Sequence, residues 1–524
     1  MPRLTPSSPS IRSPKPSLRR LCAALLIASQ LGLPPPAQAQ LLPGLGDGGE
    51  MTASAERRLG DQIARELYRD PDYIDDPVLG EYVQDIWQRL LAAARTRGEL
   101  TPELDERFAW TVVLGRDRSI NAFALPGGYL GLHLGLISAT GSRDELATVL
   151  GHELSHVTQR HISRIMSKQS KQMPLLLAGM ILRMIAAGKS RSPDAGQAVL
   201  MGSQAAFMQS QLGFSRDMER EADRIGFGVM TQAGYAPQGA AAMFEKLQYA
   251  ARLNDNGSYP YLRSHPLNSE RISDMQGRFQ FKPGVAPTMP LLMDHALIAA
   301  RARVLSRPGV DVLRLWIDST SSGEFARSSP AQQAGTLYAA ALSANELRDY
   351  KSARALAQRL VARTKDDAAA SRLARLLTAE IELAANDAPK AAALLDPLAK
   401  DRPEMLLAAQ AAVATRQPTP MVAPLRDWVA THPRDATAWR TLANLYGAQN
   451  DTLRAVRADA EANVAVLDYP GARDRFKAAQ ELMRKGAEGQ GGMPIDHYEA
   501  SIIDTRARAV EVLVKEQAAE PPLK

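Results

Sequence analysis

Cysteine is almost missing from this chain: there is one, Cys22, in 524 residues. That excludes a disulfide framework, and it excludes thiol catalysis wherever Cys22 is not at hand. Aromatics are scarce at 5%, while Ala and Leu abound, a balance that favours a helix-rich protein over a sandwich or barrel. Long apolar runs are missing as well. Leu21–Leu33 falls short of the roughly 20 residues needed to cross a bilayer. Met173–Gly188 is about sixteen residues long and is interrupted by Arg183. Charge of one sign is also lacking once the N-terminus is set aside. The first 39 residues carry five basic and no acidic residues against a formal net charge of +6, so the remainder is close to +1 and gives no argument for nucleic acid.

Those first residues read as a secretory signal peptide. A basic stretch (Arg12, Lys15, Arg19, Arg20) precedes the apolar run, and Ala37-Gln38-Ala39 supplies small residues for cleavage before Gln40. Cys22 lacks the small-residue context of a lipidation site and belongs to the apolar signal. An exported chain with a large core and no disulfide fits the bacterial periplasm.

At 45% hydrophobic content the length predicts two or three domains, each able to bury a core. Apolar residues at helical spacing (Leu79, Tyr82, Val83, Ile86, Trp87, Leu90) predict a helical stretch over 54–96. Phe108–Leu114 alternates and is β-branched, which predicts a strand. Asn121–Ile137 predicts a hairpin or two short strands turning at Pro126-Gly127-Gly128, with glycines beyond the turn that suit an edge strand. Ser142-Arg143-Asp144-Glu145 is a capping-box pattern for a helix to about Lys168, and a second long helical stretch runs from about Ala195 to Gly234. Pro283–Pro290 reads as a linker.

Beyond it the chain turns Ala-, Leu- and Arg-rich, with weak self-similarity of tetratricopeptide (TPR) type. One repeat is marked by Leu337, Ala340, Ala341, Ala344, Ala353 and Ala357, and the second half of another by Ala391 and Pro403. The clearest has Trp439, Leu442, Ala443, Tyr446, Ala455 and Ala462. The fold expected is therefore mainly α, with boundaries at 1–39 (leader), 40–285 (first domain), 290–485 (TPR-like repeats) and 486–524 (a flexible break at Gly486–Pro494 and a last charged helix).

The chemistry centres on His152-Glu153-Leu154-Ser155-His156 inside the first predicted long helix. Residues i and i+4 share a helical face, so His152 and His156 can present imidazole nitrogens to one cation, and neutral imidazole is a good zinc ligand. Glu153 lies beside such a site, where it can take a proton from a water polarised by the metal and hand it to a leaving amine. A catalytic zinc needs a third protein ligand. His161 lacks the glycine spacing of an extended histidine motif and reads as an exposed helical residue. The acidic run Glu219-Arg220-Glu221-Ala222-Asp223 is the better source: Glu219 and Asp223 share a face, one to ligate and one to orient a histidine. Spacing alone does not decide between Glu219 and Glu221, though the pairing with Asp223 favours Glu219.

Gly151–Val157, Asn121–Ile137 and Phe214–Gly226 together resemble the gluzincin metallopeptidases that include HtpX and the CAAX prenyl protease. With the leader and the repeats added, the whole chain resembles a periplasmic, TPR-bearing branch of that family. The resemblance implies a zincin-like α+β peptidase domain with a small edge sheet and one Zn2+ per chain. The metal would be held by His152, His156 and Glu219, with Glu153 as general base and Asp223 as the partner that orients a ligand. It implies that substrate adds as a strand along Gly127, Gly128, Tyr129, Leu130 and Gly131. It also draws out His265, in Ser264-His265-Pro266-Leu267, as a residue that takes the open metal position and regulates the enzyme. The activity implied is endoproteolysis of unfolded or misassembled outer-membrane proteins, with the repeats docking to the outer-membrane β-barrel assembly machinery. The alternative is a chaperone or assembly scaffold with latent proteolysis. Met173–Gly188, between the motif helix and the third ligand, suits a flap over the site or a peripheral membrane contact.

Overall fold

Proline sets the first departure from the sequence pattern. In the computed structural model, which describes residues 51–167, 214–252, 259–278, 291–487 and 496–521, the stretch 54–96 is two helices. The helix α1 (Ala53–Arg69) ends at Asp70, a short strand β1 (Tyr73–Ile74) follows, and α2 (Pro77–Thr96) begins under an Asp76 cap. Pro71 and Pro77 disfavour helix in the residue before each, and Pro77 at the first position of α2 loses no bond there. The six apolar residues of α2 are all buried, so its 3.6-residue pattern is a true core face.

A short helix α3 (Pro102–Arg107) leads to β2 (Thr111–Gly115), β3 (Ala122–Leu125), a tight turn at Pro126–Gly128, β4 (Tyr129–His133) and α4 (Leu134–Ala139). Strand order is β1-β2-β4-β3. The β2–β4 pair is parallel and the other two are antiparallel. This corrects the expected edge strand. Tyr129, Leu130 and Gly131 lie on β4, between two partners, and the edge is Ala122–Leu125. The glycines answer to packing instead. Gly127 and Gly128 hold positive φ (71° and 84°) in the turn. A Cβ on Gly131 would stand 2.2 Å from the Phe123 ring across the β3–β4 pair.

The motif helix α5 (Arg143–Thr158) is capped by Ser142, whose hydroxyl accepts from the Glu145 N–H, while the Glu145 carboxylate reaches back to Gly141 N–H. It stops ten residues before Lys168. Gln159 closes it, Arg160 takes a left-handed conformation (φ 53°), and a separate helix α6 (His161–Ser167) starts in a new direction. Helix α7 (Arg216–Gln232) crosses α5 at closest approach where Gly226 meets Gly151: a Cβ on Gly226 would lie 2.9 Å from the Gly151 carbonyl and the His152 nitrogen. The first half ends with α8 (Gln238–Arg252), α9 (Tyr261–Ser264) and α10 (Ser269–Arg278). The leader with Cys22, Met173–Gly188, the 195–213 part of the second long stretch, the Pro283–Pro290 linker and residues 488–494 of the flexible break lie outside the described residues. Gly486 and Ala487, placed in that break by sequence, close a helix instead.

The second half comprises α11 (Met293–Leu305), α12 (Val310–Ser319), α13 (Gly323–Arg327), α14 (Pro330–Glu346), α15 (Tyr350–Thr364), α16 (Ala368–Ala384), α17 (Ala388–Leu394), α18 (Arg402–Ala414), α19 (Thr419–Thr431), α20 (Ala436–Ala448), α21 (Thr452–Ala465), α22 (Tyr469–Ala487) and α23 (His497–Ala518). Four of these pairs, α14/α15, α16/α17, α18/α19 and α20/α21, are helical hairpins turning on left-handed residues: Arg348, Asn386, Arg416 and Asn450. Among the described residues no helix is long and apolar enough to cross a membrane.

Arginines join this half to the first. Arg301 on α11 is buried and forks onto Asp76 (2.6 and 2.8 Å), with Glu380 on its other side at 2.9 Å. Arg372 reaches Glu81 at 2.7 Å and Arg402 reaches Asp75 at 2.6 Å. His295 bonds Tyr82 at 2.6 Å, and Arg65 on α1 meets Glu520 just beyond α23 at 3.0 Å.

Two outcomes are expected. Arg301→Ala strands the buried Asp76 and the half-buried Glu380 as uncompensated charges, a loss of about 3–5 kcal/mol, read as a fall in thermal midpoint; an unchanged midpoint would rule out the ion-paired interface. Gly226→Ala forces α5 and α7 apart and destabilises by about 1–3 kcal/mol, with weakened metal retention, whereas Gly234→Ala, past the end of α7, leaves the metal in place.

Candidate metal centre

The Gly151–Gly226 crossing decides what the two helices can present to each other. One residue past Gly151 on α5 comes His152, and one turn further His156. On α7, Asp223 lies three residues before Gly226 and Glu219 one turn earlier. His152 Nε2 and His156 Nε2 stand 3.0 Å apart. Glu219 faces both, at 3.4 Å from His156 Nε2 and 3.5 Å from His152 Nε2. His265, just beyond α9, completes the group: its Nδ1 is 2.9 Å from Glu219 Oε1 and 3.3 Å from His152 Nε2. All four side chains are buried, and one donor atom from each lies within 4.8 Å of all the others.

The donor set fits a metal ion. Four donors bound tetrahedrally at about 2.0–2.2 Å stand roughly 3.3–3.6 Å apart, close to the separations here. Three imidazoles and one carboxylate, crowded and away from water, are also a set that a cation satisfies better than they satisfy one another. One oxygen of the neighbouring Glu153, Oε1, is buried with no hydrogen bond.

The surroundings hold these groups in register. His152 Nδ1 is 3.0 Å from Asp223 Oδ1, and Arg271 of α10 grips that carboxylate through two bonds of 2.7 and 2.8 Å. The same guanidinium lies 2.7 Å from Glu219 Oε2 and donates to the Pro266 carbonyl at 2.9 Å, so one side chain braces a ligand, an orienting carboxylate and the loop carrying His265. Phe214 stacks on His156 at 3.8 Å between ring centres, and Tyr261 stacks on His265 at 4.7 Å. Glu153 Oε2 accepts from Ala124 N–H at 2.9 Å, which ties the general-base candidate to the true edge strand.

Charge follows position. Burial works against a proton on His152, yet Asp223 and Glu219 outweigh it and raise its pKa to about 10. Burial dominates at His156, pushing its pKa well down, and at Glu153, raising it despite His265 and His152. Burial opposes ionisation of Glu219 too, but the three histidines around it prevail and its pKa falls. Asp223 is likewise held low by Arg271 and His152 against burial.

The structure thus brings His152, His156, Glu219, His265, Glu153 and Asp223 together and leaves Tyr129, Leu130 and Gly131 one strand away. Glu221 faces outward from the group, 3.1 Å from His161 Nε2 and 3.1 Å from Arg164. His161 is a correction. It is fully buried, where sequence reading expects exposure, because the break at Arg160 folds α6 back under α5. Arg271 had no sequence signal at all: nothing in its spacing from Asp223 announces the pair.

Comparisons agree with this geometry. Residues 79–279 match peptidase family M48. The chain is 31% identical over 461 residues to the β-barrel assembly-enhancing protease of Escherichia coli, covering 86% of this chain and 90% of that one. It is 36% identical over 280 residues to a Vibrio cholerae relative, an alignment spanning about half of each chain (52% and 53%). A mitochondrial metalloendopeptidase of Arabidopsis thaliana is 33% identical over 168 residues, 32% of this chain and 31% of its own. The chain belongs to peptidase family M48, as a metallopeptidase grouping with the β-barrel assembly-enhancing proteases.

Proposed function

We propose that this metallopeptidase is a zinc-dependent periplasmic endopeptidase acting on misassembled outer-membrane proteins, with Glu153 as general base and His265 as a plug that closes the site at rest. The observation that carries it is the placement of His265. Its Nδ1 sits among the ligand atoms, and its Nε2 stands 3.4 Å from Glu153 Oε1, so one ring obstructs both the open metal position and the base. His152, His156 and Glu219 would hold a zinc ion, which would supply Lewis acidity to a water and to the scissile carbonyl.

The chain's own groups account for the rest. When the His265 loop withdraws, an extended substrate pairs along the outer edge of β3, Ala122–Leu125, which has no strand partner on that side among the described residues, beside Glu153. Glu153 Oε1 takes the water's proton and passes it to the leaving amine, while the Ala124 N–H fixes its other oxygen. Val149, Met243, Phe244 and Leu247 line a narrow apolar cleft next to His152 and His265, an apolar wall beside the cleaved bond. The four helical hairpins, read as TPR-like repeats, serve as the docking surface. The name of the Escherichia coli relative supports a partner in β-barrel assembly, and the leader supports export.

A second reading draws on the same plug: a closed centre suits an assembly scaffold whose proteolysis is latent. Glu153→Gln separates the two. It is expected to retain zinc by elemental analysis while turnover of an unfolded outer-membrane protein falls by about 10²–10⁴, and it should fail to restore the outer-membrane barrier in a deletion strain. Full restoration would favour the scaffold. His265→Ala is expected to raise basal proteolysis with zinc retained, and a chelator should abolish it; basal proteolysis no higher than that of the unaltered chain would refute the plug.

A further inference from the structure

His152 has Asp223 to hold its second nitrogen, and the chemistry of a ligating histidine calls for such a partner at His156 as well. The break after α5 supplies one. Arg160 turns the chain in a left-handed conformation and is held there by the buried Glu56 at 3.2 Å and by the Met51 carbonyl. The next residue, His161, is thereby folded under His156, with the two Nδ1 atoms 2.8 Å apart. On its far side His161 Nε2 stands 3.1 Å from Glu221 Oε2, which Arg164 meets at 3.1 Å.

Hydrogen counting gives this chain of contacts a direction. If His156 offers Nε2 to the metal, its proton is on Nδ1 and must be donated to His161 Nδ1. His161 then carries its own proton on Nε2, where only an acceptor can meet it, and Glu221 is an acceptor. The opposite arrangement, His161 donating from Nδ1, would put the His156 proton on Nε2 and block the metal. A carboxylate at the end of the chain selects the first arrangement over the second.

We propose that His161 and Glu221 form a hydrogen-bond relay that holds His156 in its metal-competent tautomer and ring orientation. Both are positioning residues, acting through His156, as Asp223 acts through His152. The relay rests on the metal-centre reading and explains why Glu221, two residues from Glu219, faces away from the ligand group.

The test is zinc affinity of the full chain by competition with a chromophoric chelator, with the visible spectrum of the cobalt(II)-loaded protein as a second readout. His161→Leu keeps bulk but accepts nothing, and is expected to weaken zinc binding about 10–100-fold and to alter the cobalt bands. His161→Asn, whose Oδ1 can accept where Nδ1 did, is expected to stay close to the unaltered chain. Glu221→Ala frees the relay at its exposed end and is expected to weaken zinc about 10-fold; because Glu221 is partly exposed, it decides the matter alone if His161→Leu does not fold. Zinc binding unchanged in both His161→Leu and Glu221→Ala overturns the relay, as does equal weakening in His161→Leu and His161→Asn, which would mean packing alone. His152→Ala is the reference: if it too retains zinc, the metal centre itself is misassigned and the relay falls with it.

Discussion

Everything at the centre depends on two helices approaching more closely than side chains normally allow. Gly226 has no room for a Cβ against Gly151 and His152. Only because both crossing residues are glycine does α7 lie near enough for Glu219 to stand within 3.5 Å of two histidines on α5. Helix axes with side chains at the contact pack 8–10 Å apart according to size. A methyl group here would be felt first at the ligands, since they flank the crossing within two turns. The geometry of the His152, His156 and Glu219 group is thus a property of backbone contact.

That closeness creates an electrostatic debt. Four histidines, Glu153, Glu219 and Asp223 share a volume from which water is excluded, and an isolated charge there is costly. The solution is contact in every direction: Arg271 against Asp223 and Glu219, Asp223 against His152, His161 and Glu221 behind His156. Each ligand is held from behind by a group that is itself held. Arg271 also fastens the Pro266 carbonyl, so the loop that places His265 is braced by the same residue that braces the ligands. A displacement of that loop would therefore disturb the charge balance of the centre.

Local, periodic features were legible from sequence. The apolar face of α2, the His152–His156 pair and the alanines of α14/α15 and α20/α21 each follow from a repeat that one element imposes on itself. The placement of Glu219 beside Asp223 was readable for the same reason. What escaped was non-local. The edge strand differs from the expectation because glycine at 131 looks alike whether it lightens an edge or makes room for the Phe123 ring across a strand pair. His161 reads as an exposed helical residue because it lacks the glycine spacing of an extended histidine motif. A single left-handed residue, Arg160, reverses that, and nothing short of the Glu56 contact from α1 reveals it. Arg271 comes from an element with no periodic tie to α7.

The corrected edge changes how recognition and chemistry connect. With β4 interior, an added strand meets β3, and β3 already donates the Ala124 N–H to Glu153. A substrate pairing there lies against the same short strand that orients the base, so binding in the wrong register would misplace the scissile bond relative to Glu153 by one pleat. Glu153 meets that strand through one oxygen and His265 through the other. In the proposed mechanism, strand addition and plug withdrawal would thus converge on a single carboxylate. Under the proposed function, a preference for extended segments would follow from pairing at the β3 edge beside the base.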